Sequence, residues 1–191
     1  MPDGADLKME LCAPDLIEAC ILAGGLSSRM GRDKSHLRLG QRTLMGHIEK
    51  TAQLLGFKVR SIRRDSVERC GPMGGIATAL ESSRADCVLF LACDMPFVSE
   101  EFLRKMIKTL RRQDRAVFAA QNSRVGFPLL LRRDACLPIV LEQIERKDLS
   151  LRKLAKVLRA RMLKPSRGQR ENLANINTPE DLAAARKHRL K

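Results

Sequence analysis

ILAGGLSSRMGRDK, residues 21–34, joins the end of an apolar run to a glycine loop that closes on two charged residues. The run Ile17 to Leu22 (IEACIL) fits a buried strand, and Gly24-Gly25 removes Cβ where the backbone must turn and approach a ligand closely. Amide groups exposed in such a turn form an anion site. Arg29 and Lys34 add positive charge at its rim, where they can reach the outer phosphates of a nucleotide while the backbone holds the inner ones. The stretch has neither the G-x-x-x-x-G-K-[ST] order of a Walker A loop nor the G-x-G-x-x-G spacing of a dinucleotide turn.

Two later stretches extend this reading. CVLFLACDMPF, Cys87 to Phe97, is an apolar run of strand length that ends in Asp94 and then Pro96. It delivers one carboxylate to the carboxyl end of a buried strand, where open α/β sheets bind ligands and where an acid near phosphates suits Mg²⁺. Capping of the following helix falls to Ser99 rather than Asp94, because Ser99 precedes Glu100, Glu101 and the helical run Phe102 to Leu110. CGPMGGI, Cys70 to Ile76, reads as a second glycine turn opening a helix from Ile76, suited to an anion or a base edge.

The order of elements is strand, loop, helix, repeated. Strands are expected near 17–22, 59–62, 86–92, 115–120 and 127–131. Helices are expected from Thr43 to Leu55 and over 75–83, 99–112, 134–146 and 150–160. A last helix is signalled by Thr178, Pro179, Glu180 and Asp181. This alternation predicts an α/β fold, a three-layer α/β/α sandwich with a Rossmann-like, mostly parallel sheet. The acidic residues 1–16 read as a loose leader, and 17–191 as one domain.

LAGG-x-S-x-RMG-x-DK (22–34), GP-x-GGI (71–76), CDMPF (93–97) and ANINTPEDL (174–182) occur in that order. Together they resemble the molybdenum cofactor guanylyltransferases of the nucleotidyltransferase superfamily, with weaker echoes in FPLLLRR (127–133) and LSLRKL (149–154). The resemblance covers about residues 17–185. It implies Mg²⁺-dependent transfer of GMP from GTP to the phosphate of molybdopterin or its molybdenum-loaded form, with release of pyrophosphate. It assigns the nucleotide to the backbone of Leu22, Ala23, Gly24 and Gly25, its phosphates to Lys34 and Arg29, and Mg²⁺ to Asp94. It also implies Asp65 as an acid that helps hold the nucleotide, and Asn175 and Asn177 on the acceptor side. The implied partners are GTP and a phosphorylated pterin, with transient contacts to molybdoenzymes or other cofactor-biosynthesis proteins. The chain departs from the family between Leu55 and Gly71, where only 15 residues stand in place of a longer strand-helix-strand excursion carrying an asparagine near the base.

Composition narrows the alternatives. The formal charge is +14, and residues 1–20 hold five acids and one base, so the remainder carries +18. Such a surplus attracts polyanions of any kind. With no Trp, no Tyr and six Phe, the chain lacks the stacking platform of a single-strand binder, which argues against nucleic acid. No apolar segment approaches spanning length, which argues against a membrane. The six cysteines form no C-x-x-C pair, so reduced thiols in a cytoplasm are the simplest account. His36, His47 and His188 have no partner pattern.

Two rival readings stay open. A non-catalytic polyanion-binding module explains the charge but not Asp94. A transferase that uses another nucleotide or a sugar-phosphate acceptor explains both, although related cytidylyltransferases show LAAG where this chain has LAGG and lack the GP-x-GG turn.

Overall fold

The computed structural model describes residues 16–23, 36–62 and 70–189. In chain order it runs β1 (Ile17–Leu22), β2 (Arg38–Leu39), β3 (Arg42–Thr43), α1 (Leu44–Leu54), β4 (Lys58–Ile62), α2 (Pro72–Ser82) and β5 (Cys87–Ala92). Then follow α3 (Glu100–Thr109), β6 (Ala116–Gln121), β7 (Arg124–Arg132), α4 (Arg133–Glu145), α5 (Leu151–Val157), β8 (Arg161–Leu163), a 3₁₀ helix (Arg167–Leu173) and α6 (Pro179–Arg189). Six strands form one sheet in the order β4-β1-β5-β7-β6-β8, and β2 with β3 forms a separate hairpin. β1 is parallel to β4 and β5, β8 is parallel to β6, and β7 alone runs antiparallel to its neighbours β5 and β6.

The sheet is covered on both faces, which is why its central strands read as continuous apolar runs instead of alternating ones. Ile17, Ala19 and Ile21 of β1 and Leu89 and Leu91 of β5 share one core with Met45 and Ile48 of α1 and Phe102 and Met106 of α3. Cys20 and Leu22 of β1 and Val88 and Phe90 of β5 point the other way, into a core with Met73 and Ile76 of α2, Val140 of α4 and Leu154 of α5. The period of two along each strand thus assigns alternate residues to the two outer layers, giving the three-layer α/β/α sandwich.

Local signals set the helix starts. Thr43 caps α1 by accepting from the Gly46 amide at 3.0 Å, and Ser99 caps α3 by accepting from the Phe102 amide at 3.2 Å. α2 differs from the sequence expectation: it begins at Pro72, four residues before Ile76, so Gly74 and Gly75 are buried inside its first turns. Proline at the first helical position needs no amide partner, and Gly71 supplies the turn before it with φ +54°. The sequence reading also omitted the β2–β3 hairpin, β8 and the 3₁₀ helix.

Glu18 is the polar exception in β1. Its carboxylate, 7% exposed, receives Nε and an Nη of Arg60 from β4, both at 3.1 Å. The same guanidinium continues to the Ala79 carbonyl at 3.1 Å and Ser82 Oγ at 2.6 Å, tying the edge strand to α2.

α6 closes the chain against the hairpin. Ile176, Leu182 and Ala185 form a small third core with Leu39 and Leu44. Asp181 Oδ2 accepts from the amides of Asn177 and Thr178 at 2.8 and 2.9 Å, and Thr178 Oγ1 accepts from the Asp181 amide at 3.1 Å, which completes a reciprocal cap. Asp181→Ala therefore removes the acceptor of two amides. Hydrogen exchange at residues 176–178 and the first turn of α6 should quicken about fivefold, matching a loss of about 1 kcal/mol, while exchange in β1 and β5 stays unchanged.

Five described cysteines are free thiols, and burial pushes those of Cys20 and Cys136 from the ordinary 9.0 up to about 12. The folded state holds these two protons more tightly than the unfolded chain does. Their stabilising contribution is complete below pH 9 and is lost as pH climbs from about 9 through 12. Denaturant midpoints measured across that range should fall more steeply for the wild type than for Cys20→Ala/Cys136→Ala.

Candidate functional site

The carboxyl ends of β1, β4 and β5 are joined by backbone hydrogen bonds that continue beyond the strands. The Ala23 amide donates to the Ile62 carbonyl at 2.9 Å, and the Cys93 amide donates to the Leu22 carbonyl at 3.3 Å. These two bonds set the exit of β1 between its parallel neighbours, at the sheet end where open α/β folds bind ligands. Gly24, Gly25, Arg29, Lys34 and Asp65 lie outside the described residues.

Asp94 stands two residues past the end of β5, in a turn fixed by the Met95 amide bonding to the Ala92 carbonyl at 3.2 Å and the Val98 amide to the Met95 carbonyl at 3.3 Å. Met95 and Val98 anchor that turn in the α1/α3 core. Asp94 itself is half-buried, with Oδ1 screened from solvent. Its carbonyl accepts the Ile176 amide at 2.8 Å. One backbone bond therefore brings Asn175 and Asn177, 81 and 83 positions later in the chain, to the same end of the sheet as Asp94. Asn175 is exposed and Asn177 half-buried.

The residues before this segment are tethered too. Asn172 Nδ2 donates to Ser99 Oγ at 2.7 Å, and Gln121 Nε2 donates to the Arg170 carbonyl at 3.3 Å. Ser166 and Gln169 start the 3₁₀ helix with a capping box. That box was readable as S-x-x-Q. The positioning role of Asn172 was not, since its partner lies 73 residues away and neither residue carries a local pattern for the contact.

The glycine turn at 70–76 also reaches this end. Met73 shares a core with Leu22 and Ile62, the last residues of β1 and β4. Two of the first amides of α2 are already engaged, Met73 with the Cys70 carbonyl at 3.2 Å and Gly74 with the Gly71 carbonyl at 3.3 Å, and Pro72 has none. The start of α2 is thus less open as an anion site than the sequence suggests.

The structure accordingly brings Leu22, Ala23, Asp94, Asn175 and Asn177 to one end of the sheet. Its chemical content is a strand-end carboxylate, backbone groups at a strand exit and two carboxamides. Among the described residues no three His, Cys, Asp or Glu side chains converge as a metal cage. Asp94 fits instead a Mg²⁺ that keeps waters and takes its other ligands from substrate phosphates, since that ion is commonly held by one or two carboxylates.

Comparison with known proteins identifies the fold and the family. The chain resembles 4-diphosphocytidyl-2C-methyl-D-erythritol synthase from Anaerococcus prevotii, at TM-score 0.72 and 16% identity, over 94% of this chain and 100% of that one. It also resembles molybdopterin-guanine dinucleotide biosynthesis protein A from Archaeoglobus fulgidus, at TM-score 0.69 and 19% identity, over 91% and 98%. These likenesses establish the fold. In sequence, a protein of Carboxydothermus hydrogenoformans named "Probable molybdenum cofactor guanylyltransferase" is 30% identical over 86% of this chain and 92% of its own length. The MobA-like NTP transferase domain matches residues 19–62 and 49–165. With most of its length matched in this way, the chain belongs to the MobA-like NTP transferase family, and it is a nucleotidyltransferase of the molybdenum cofactor guanylyltransferase type.

Proposed function

We propose that the protein transfers GMP from Mg-GTP to the terminal phosphate of molybdopterin or its molybdenum-loaded form and releases pyrophosphate. The observation that supports this reading is the Ile176-to-Asp94 backbone bond, because it joins the segment bearing Asn175 and Asn177 to the end of β5 that carries Asp94. The guanylyltransferase name of the relative that matches most of the chain supports the choice of nucleotide and pathway.

In-line nucleotidyl transfer needs the acceptor phosphate oxygen opposite the departing pyrophosphate, and it needs the growing negative charge to be neutralised. The backbone from Leu22 and Ala23 through Gly24 and Gly25 holds the nucleotide with groups other than the Leu22 carbonyl and Ala23 amide, which serve Cys93 and Ile62. Lys34 and Arg29 hold its phosphates and stabilise the charge that collects on pyrophosphate. Asp65 helps fix the nucleoside. Asn175 and Asn177 orient the acceptor through their amides, held in place by the Asp181 cap and the Asn172 tether. Asp94 would hold a Mg²⁺, which would supply Lewis-acid neutralisation and a template. No side-chain nucleophile is needed, because the acceptor phosphate attacks directly. The free thiols suit a reducing cytoplasm, and no helix among the described residues is long and apolar enough to cross a membrane.

Nucleotide preference gives the first test. With Mg²⁺ present, GTP should raise the melting temperature more than CTP, UTP or ATP at equal concentration, since a ligand stabilises the fold according to its concentration over Kd. Equal shifts for the four would remove guanine selectivity. Asp94→Asn should abolish metal-dependent pyrophosphate release and leave the melting temperature without nucleotide close to wild type. Lys34→Ala should slow transfer by an amount on the order of 10²-fold, as for loss of one donor to developing charge. Wild-type turnover in both variants would move the chemistry to other residues.

A further inference from the structure

A second arrangement of cations occupies the opposite end of the sheet. β6 and β8 run in the same direction as β5, so the residues that precede them lie at the edge away from Leu22 and Asp94, about 20 Å off for strands of six residues. A cavity of about 570 Å³ opens there between the turn before β6 and the end of α5. It is lined by Gln113, Asp114, Arg115, Val157, Leu158 and Arg159.

The acid in this lining is already neutralised. Asp114 Oδ2 accepts Arg161 Nε at 2.5 Å and the Arg111 amide at 2.9 Å, and Arg132 Nε donates to the Asp114 carbonyl at 3.0 Å. Arg115 and Arg159 are exposed, and among the described residues neither guanidinium has a hydrogen-bond or ion-pair partner. The cavity wall thus presents two uncompensated positive charges with fork-shaped donors.

Arg159 also occupies a position where glycine is the ordinary choice. Its φ is +51°, and it ends α5 in a Schellman turn with its amide on the Lys156 carbonyl at 3.0 Å and the Ala160 amide on the Ala155 carbonyl at 2.9 Å. A side chain there costs about 1 kcal/mol of backbone strain. Lys147 ends α4 in the same way, so favourable placement of a cation at a helix carboxyl end accounts for part of the choice. Beside Arg159, Val157 leaves 46% of its surface exposed, one of four large apolar side chains so exposed among the described residues.

We propose that this cavity binds a phosphate monoester. The dianionic head sits between the Arg115 and Arg159 guanidinia within reach of the Gln113 carboxamide, and the organic part lies on Val157. Two unpaired guanidinia match a dianion, whereas a single carboxylate would leave one charge uncompensated. Placement at the far end of the sheet makes this site independent of nucleotide.

Amide chemical shifts titrated with phenyl phosphate at about 0.15 M ionic strength test this, with inorganic phosphate as the comparison ligand. Saturating shifts are expected at Gln113–Arg115 and Val157–Arg161, with and without Mg-GTP, and phenyl phosphate should bind more tightly than inorganic phosphate. Arg115→Gln and Arg159→Gly should each weaken binding about tenfold, the loss for one charge-assisted contact. Glycine suits φ +51°, so the second variant keeps the turn and separates lost binding from lost folding. Shifts confined to Ala23 and Cys93, shifts that fail to saturate, displacement by Mg-GTP, or wild-type affinity in both variants would overturn the proposal. Because the nucleotide-free titration stands alone, failure of GTP to bind leaves this result readable.

Discussion

The exit of β1 is the constraint on which the site depends. A parallel strand flanked on both sides is held by two neighbours up to its carboxyl end, and here the last two backbone groups are fixed by opposite neighbours. The Leu22 carbonyl is taken from the β5 side by Cys93, and the Ala23 amide bonds on the β4 side to Ile62. Neither bond involves a side chain. They demand only that three strands be in register, with Leu22 level with Ala92 and Ile62, which apolar packing on both faces enforces. The turn carrying Asp94 inherits this position because it grows from the same β5 end, and the segment with Asn175 and Asn177 inherits it in turn through Ile176.

This hierarchy explains why the most polar feature of β1 lies far from the crevice. Glu18 is near the amino end of the strand, bound through Arg60 to α2. A buried carboxylate and its guanidinium break roughly even against apolar substitutes in free energy. What the pair adds is orientation. β4 is an edge strand with mostly half-exposed residues, and apolar burial alone would define its angle to β1 weakly. One guanidinium that bonds Glu18, Ala79 and Ser82 defines it from three directions.

Much of the architecture was legible because its signals are local. IEACIL and CVLFLA are long enough, apolar enough and sufficiently bounded to be strands, and Thr43, Ser99 and Thr178 announce helices through the residue type that captures their first amides. The antiparallel course of β7 was not legible, since direction depends on which strand it joins and the pattern FPLLLRR is the same either way. β8 escaped because three residues carry no period, and its place is set by pairing with Val117 to Ala119. The start of α2 was misplaced because two glycines suggested a turn, whereas the φ +54° turn needs only Gly71 and burial against the sheet keeps Gly74 and Gly75 helical. Asp94 and the asparagines stand out in the sequence as motifs, but the backbone bond that joins their segments spans 82 residues of chain and leaves no trace in either motif.

The short connection between Leu55 and Gly71 bears on the base preference proposed above. Residues 49–62 fall within both matched parts of the family domain. The sheet then ends at β4, with no further described strand beyond it. At this edge the backbone offers little to a purine. The Ile62 carbonyl serves Ala23, Pro72 lacks an amide, and the Met73 and Gly74 amides turn back on Cys70 and Gly71. Guanine differs from adenine by an acceptor at one ring position and donors at two others, so its recognition requires both a donor and acceptors. With these described groups already engaged, the guanine preference proposed above would not draw on the amides that open α2.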